Sequence, residues 1–312
     1  MEVIVNQILL LGIVIVIGAF AAWRKIITDS VRDGLAKLVF NVASPALIFS
    51  TMLETKVNWE IVINGMWITI FCYIAAFLFF VTGTLSSRLF RVKPGLDNIH
   101  IVHTMFGNTV FLGFPLIAAL FPQFKESVLY AALYYFVSSS VLWTFGVMIA
   151  TNVSGNFWKS IRNLVNPNTI AFCVGLLIAV LDFRLPELIV RALHDIGLAT
   201  SPLSMLYIGG TLAVTPIKNL LKRIDIIGIS INKLILVPVI VLLLINLCNT
   251  FLGTQISDMA KAVIVLQSGT PCMTMVVIII KNYGGNDQAA AENLFVTTVF
   301  SLLTLPLLYF LL

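Results

Sequence analysis

The sequence predicts an all-α integral membrane protein: ten transmembrane helices in two inverted five-helix repeats, with helices 4 and 9 broken. Composition is the first reason. Of 312 residues, 59% are hydrophobic and only 11% charged, with a mean hydropathy of +1.03, whereas soluble domains carry roughly 25% charged residues. The second is the recurrence, from end to end, of continuous apolar runs of roughly 17–25 residues, the length of a bilayer-spanning helix. A membrane β-barrel needs short alternating segments instead. The third is that small motifs in the second half repeat those of the first.

In chain order, residues 3–23 form helix 1; no basic n-region precedes them, so they read as a retained helix and not a cleaved leader. Helix 2 (34–53) carries Ala43-Ser44-Pro45, and helix 3 (59–84) is uninterrupted. Helix 4 (98–121) is broken at Gly107-Asn108-Thr109. Helix 5 (128–151) carries Ser138-Ser139-Ser140 and ends the first repeat, 1–152. A short cytoplasmic linker, 153–166, leads to the second repeat, 167–312. There helix 6 is 167–181, and helix 7 (188–213) holds Thr200-Ser201-Pro202 and Gly209-Gly210, a pair that lets another helix approach closely. Helix 8 is 226–248. Helix 9 (259–280) is broken at Ser268-Gly269-Thr270-Pro271, and helix 10 (289–312) contains Thr297-Thr298.

Ala43-Ser44-Pro45 matches Thr200-Ser201-Pro202 at an offset of 157, and Phe136-Val137-Ser138-Ser139 matches Phe295-Val296-Thr297-Thr298 at 159. Five passes per half is odd, so the halves lie in the membrane with opposite orientation, the plan of many secondary transporters. Loops 1–2, 3–4, 5–6, 7–8 and 9–10 hold 14 of the 19 Lys and Arg residues. By the positive-inside rule these loops, including those around Arg24 and Lys222, are cytoplasmic and both termini are extracellular.

The breaks are where chemistry is expected. Glycine costs roughly 1 kcal/mol in a helix interior and proline about 3, and lipid offers freed backbone no partner. Asn108 suits the cap of a half-helix starting at Thr109, and Thr270 suits another with Pro271 at its first position. Two half-helix N-termini meeting from opposite directions make an anion site without any basic side chain. The candidate substrate-binding residues are therefore Gly107, Asn108, Thr109, Gly269, Thr270 and Pro271, with the hydroxyls of Ser138 and Thr297 on the helices that follow. Such hydroxyls commonly bond back to their own backbone. His103, three residues after His100, and Gln267 are candidates for an ion or proton role.

Absences narrow the reading. Glu54, Glu60, Asp182, Asp195 and Glu292 all fall near helix ends, so no carboxylate stands ready to neutralise sodium, and sodium-independent transport is expected. No nucleophile elbow, H-E-x-x-H or P-loop is present; neither an enzyme nor a cofactor is expected. Cys72, Cys173, Cys248 and Cys272 form no C-x-x-C pair, so no metal or disulfide framework is indicated. A net charge of +5 without a basic stripe interleaved with aromatics does not point to nucleic acid.

The segment from Gly107 to Leu116 (Gly-Asn-Thr-Val-Phe-Leu-Gly-Phe-Pro-Leu) resembles the helix-4 motif of the auxin efflux carrier family, which includes the plant PIN-FORMED carriers and many bacterial permeases. Pro202-Leu203 with Gly209, Leu212 and Ala213 resembles its helix-7 pattern; Leu266-Gln267, Pro271, Tyr283 and Gly284 resemble its helix-9 segment. The resemblance implies a fold similar to sodium/proton antiporters and bile-acid symporters. Helices 1, 2, 6 and 7 would form a dimerising scaffold, and helices 3–5 and 8–10 a transport domain whose crossed helices 4 and 9 hold an organic anion and move like an elevator. Asn108 and Pro271 carry over directly. Met275 departs from the Asn of many bacterial members, and Cys272-Met273 from the Gln-Gly of the plant carriers. The expected function is a plasma-membrane carrier of an organic carboxylate: an auxin-like anion such as indole-3-acetate, or else a small dicarboxylate such as malate or malonate. A non-transporting membrane sensor or structural subunit of the same fold is the other class. The expected partners are the anion, membrane lipid and a second copy of the chain.

Overall fold

The structure is a computed structural model that describes residues 2–151, 162–183, 185–215 and 223–312. Most of the 153–166 linker and the Lys222 loop position lie outside the described residues. Within them, every regular element is helical. In chain order these are α1 (Glu2–Trp23), α2 (Asp29–Glu54), α3 (Trp59–Leu89), α4 (Asp97–Met105), α5 (Thr109–Leu120) and α6 (Glu126–Ala150). They continue as α7 (Pro167–Val180), α8 (Glu187–Val214), α9 (Asp225–Leu252), α10 (Asp258–Ser268), α11 (Thr274–Asn282) and α12 (Asp287–Leu311). Six of them, α2, α3, α6, α8, α9 and α12, are long and apolar enough to cross a membrane. Helices 4 and 9 of the sequence are each two pieces, α4 with α5 and α10 with α11.

Two helices outrun their apolar stretches. α2 starts at Asp29, where an Asp29–Arg32 ion pair of 2.7 Å closes the first turn. α3 continues through Ser86, Ser87 and Arg88, residues that an apolar run excludes but a helix tolerates. α3 also shows why the helices belong in lipid. It buries Ile68, Phe71, Ala75 and Phe79 at helical spacing, yet its other face exposes Met66, Tyr73, Phe77 and Leu85. A helix apolar all round is a buried or membrane helix.

The chain divides into two compact units. Unit 1 comprises Met1–Met66, Thr109–Phe136 and Val165–Val214; unit 2 comprises Trp67–Asn108, Val137–Leu164 and Thr215–Leu312. Unit 1 contains α1, α2, α5, α7 and α8. Its α1–α8 seam is set by Gly18 and Gly209: a Cβ at Gly18 would come within 2.6 Å of the Leu206 carbonyl oxygen, and one at Gly209 would run into the Ile15 carbonyl. The close approach expected of Gly209-Gly210 is therefore present. α7 starts where Asn166 accepts from the Asn168 and Thr169 amides at 3.1 and 3.2 Å, with Pro167 in the first turn. Phe136 and Phe172 stack at 5.6 Å, and Ser44 donates to Asn168 at 2.7 Å.

Unit 2 contains α4 and α9–α12 with most of α3 and the end of α6. In both units a π-helical turn ends two residues before a proline: Val39–Ala43 before Pro45, Thr109–Gly113 before Pro115, and Asn232–Leu236 before Pro238. Proline lacks the amide and its ring crowds the carbonyl four residues back. Widening the turn reroutes that carbonyl and lets the helix continue.

Candidate functional site

The site lies in unit 2, where the chain leaves helical geometry twice. α4 stops at Met105 because Phe106 turns to an extended backbone, and α10 stops at Ser268, with Gly269 at its end. The interrupted segments bond to each other. The Asn108 amide donates to the Pro271 carbonyl at 2.8 Å and the Met273 amide to the Phe106 carbonyl at 3.1 Å, an antiparallel bridge centred on Gly107 and Cys272. The Cys272 amide donates to Thr297 Oγ1 at 3.1 Å, and that hydroxyl donates to the Asn293 carbonyl at 2.7 Å. Backbone groups that lipid would leave unsatisfied are thus paired across the break.

Most predicted site residues meet here. Asn108, 2% exposed, donates from Nδ2 to Thr274 Oγ1 at 3.3 Å. Gly107 lies so close to Thr270 that a Cβ on it would collide with Thr270 Oγ1. Gln267 and His103 are fully buried, and neither the amide of the one nor the ring nitrogens of the other find a partner among the described residues. Gly269 faces Leu308. Ser138 is half-buried on α6 and enters none of these bonds; nearby Ser140 bonds back to the Val137 carbonyl at 2.6 Å. Thr109, also buried, falls in unit 1. His100 pairs with Ser86 Oγ at 2.7 Å.

Three expectations need correction. Thr270 does not cap a helix with Pro271 at its first position: its hydroxyl donates to the Gln267 carbonyl at 2.7 Å, closing α10, and α11 starts only at Thr274. Residues 271–273 instead lie outside any helix, with Cys272 in the bridge and Met273 extended. The amides of Asn108, Cys272 and Met273 are not left free for an anion, because the bridge and Thr297 take them. Most important, the site has a basic side chain.

That side chain is Lys233, 1% exposed, in the π-helical turn of α9. Its Nζ donates to the Met105 carbonyl at 3.3 Å and lies 3.9 Å from the centroid of the Phe79 ring. A Cβ on Gly107 would come within 3.2 Å of it. Among the described residues it is the one buried Lys or Arg, and it has no carboxylate partner. Lys233 is therefore not a loop cation, and without it the odd-numbered loops and their adjoining helix turns hold 13 Lys and Arg residues against 5. The signal was in the sequence: an ionisable residue inside an apolar run marks function by default.

Near the start of α9, Arg223 forks onto Asp225 at 2.8 and 2.7 Å and reaches Glu292 at 3.1 Å and Asn293 at 3.0 Å. Burial opposes its charge, but the bonded carboxylates of Asp225 and Glu292 outweigh that and raise its pKa above the ordinary value. Glu292, though buried, is spent on this pairing. Arg223 and Glu292 line a cavity of about 450 Å³ with Arg91, Lys93 and Asn286.

A family model described as membrane transport protein matches residues 3–309. An uncharacterized transporter of Methanocaldococcus jannaschii is 24% identical over 310 residues, which are 97% of this chain and 96% of the relative. An uncharacterized transporter of Methanothermobacter thermautotrophicus is 24% identical over 306 residues, 95% of this chain and 94% of the relative.

Proposed function

The chain belongs to the membrane transport protein family, that of the auxin efflux carriers, and from that premise we propose that it is a secondary carrier of an organic carboxylate held at the unit-2 break. One observation carries the sign of the substrate's charge: the ammonium of Lys233 is buried beside Gly107 without a carboxylate partner. A buried charge is costly unless paired, and an anionic substrate is the partner that a carrier supplies. One such cation balances one carboxylate, so a monocarboxylate such as indole-3-acetate comes ahead of malate or malonate. Asn108 and the unpartnered amide of Gln267 are the polar groups to orient it. Ten membrane passes in two inverted repeats, a scaffold of helices 1, 2, 6 and 7, homodimerisation, extracellular termini and elevator-like movement complete the reading. The division of the chain supports the split for α1, α2, α7 and α8, which fall in one unit, and for α9–α12, which fall in the other, whereas α5 and the start of α6 fall with the first group.

The test is uptake of labelled indole-3-acetate, malate and malonate by the purified chain in proteoliposomes, with Asn108→Ala alongside. A lost hydrogen bond to a charged carboxylate is worth roughly 1.5–3 kcal/mol, so the variant should bind the transported anion about 10- to 150-fold more weakly while staying monodisperse. Normal binding by well-folded Asn108→Ala would move the substrate away from the break. No uptake of any anion would favour the sensor class.

A further inference from the structure

We propose that Lys233 is a built-in cation, whose ammonium occupies the carbonyl place at the C-terminal end of a broken half-helix that a free coupling ion would otherwise take. The inference rests on the anion-carrier reading and goes on to name how the charge is managed. The last carbonyls of any helix lack intrahelical partners and carry partial negative charge. In carriers with discontinuous helices, such C-terminal ends and unwound carbonyls coordinate sodium or protons. Met105 is the last residue of α4, and its carbonyl accepts from Lys233 Nζ at 3.3 Å. The Phe79 ring, 3.9 Å from Nζ, supplies the second face of a cation site.

The surroundings hold the side chain in that place. The π-helical turn Asn232–Leu236 contains Lys233. Asn232, one residue earlier, anchors the turn by donating to the Thr82 carbonyl at 3.2 Å and to Ser86 Oγ at 2.9 Å. Gly107 leaves the backbone bare where the ammonium lies, since any side chain there would crowd Nζ and Cε. The one buried carboxylate among the described residues, Glu292, is bonded to Arg223. Sodium would thus meet an occupied place and no free carboxylate. The carrier therefore moves its anion without sodium, with the tethered ammonium keeping the break electrically balanced.

The experiment uses the full chain, purified and reconstituted. Thermal unfolding without any organic anion compares sodium chloride with equimolar choline chloride, and the wild type should show no difference. Lys233→Ala removes three methylenes and the ammonium, the volume of propylammonium. Its transport should be lost, and propylammonium should restore transport and raise its Tm by roughly 2–4 °C, while propan-1-ol does neither. Stabilisation of the wild type by sodium, a sodium requirement for uptake, unaltered transport by Lys233→Ala, or equal rescue by propan-1-ol would each overturn the proposal. If the alanine variant does not fold, Lys233→Met fills the volume without charge and should be stable but inactive; full activity would overturn the idea. A wild type that needs sodium yet carries the anion refutes the built-in cation alone, whereas a wild type carrying no anion refutes the reading beneath it.

Discussion

The α1–α8 seam of unit 1 and the break of unit 2 both bring backbone against backbone, by opposite means. At the seam the helices run on through the contact, and Gly18 and Gly209 remove the side chains that would separate them. No helical turn is given up there, and the gain is dispersion over a close contact. At the break the chain gives up helical bonds, replaces them with the Asn108–Pro271 and Met273–Phe106 pairs, and encloses Lys233, Gln267 and His103. Packing alone asks for small residues. A site that must receive a polar ligand inside lipid asks for an opened backbone and for polar groups held without full satisfaction.

If that contrast is right, unit 2 answers to polarity and unit 1 to volume. The largest effect is expected for Arg223→Met, which strands Asp225 and Glu292, whose side chains are only 12% and 3% exposed. Removing one partner of such a network costs about 3–5 kcal/mol, seen as a large fall in Tm; a fall no greater than that of a surface mutant would break the comparison. Next comes Thr297→Val, nearly the same volume, which leaves the Cys272 amide unpaired at a cost of about 1–3 kcal/mol. Thr297→Ser should recover most of it, and a valine variant as stable as the wild type would show that the break does not depend on that bond. At the seam, Gly209→Ala adds one methyl against the Ile15 carbonyl and should cost about 1–3 kcal/mol by overpacking. Gly12→Ala is the sharpening control: on α1, the other helix of the seam, no atom lies within 4 Å of the added Cβ, so denaturation should show no loss, or a gain of up to about 1 kcal/mol from helix propensity.

Much of this was legible residue by residue. Gly107-Asn108 and Ser268-Gly269-Thr270-Pro271 announced two breaks, because glycine and proline weaken a helix wherever they occur. Gly209-Gly210 announced a close contact for a similar reason. The outer turns of α2 and α3 were missed because hydropathy reports the surrounding solvent and not backbone continuity. Lys233 was less legible, because a count of charges by loop does not separate an ammonium buried inside the 226–248 run from one in solvent.

By itself the sequence determined the solvent and the interruptions: too little charge to face water, apolar runs of spanning length, and breakers at two points. These are local properties, set by each residue's own transfer energy and backbone preference. Only the tertiary structure decided what meets at the interruptions. Asn108 reaches Thr274 across 166 residues and Lys233 reaches Met105 across 128, and no local preference encodes such a pairing. The Thr297 hydroxyl, equally available to a ligand on paper, is committed to the Cys272 amide because folding brings that amide to it. A hydrogen-bonding group inside lipid takes whichever partner arrives, and the arrival is a property of the packed chain.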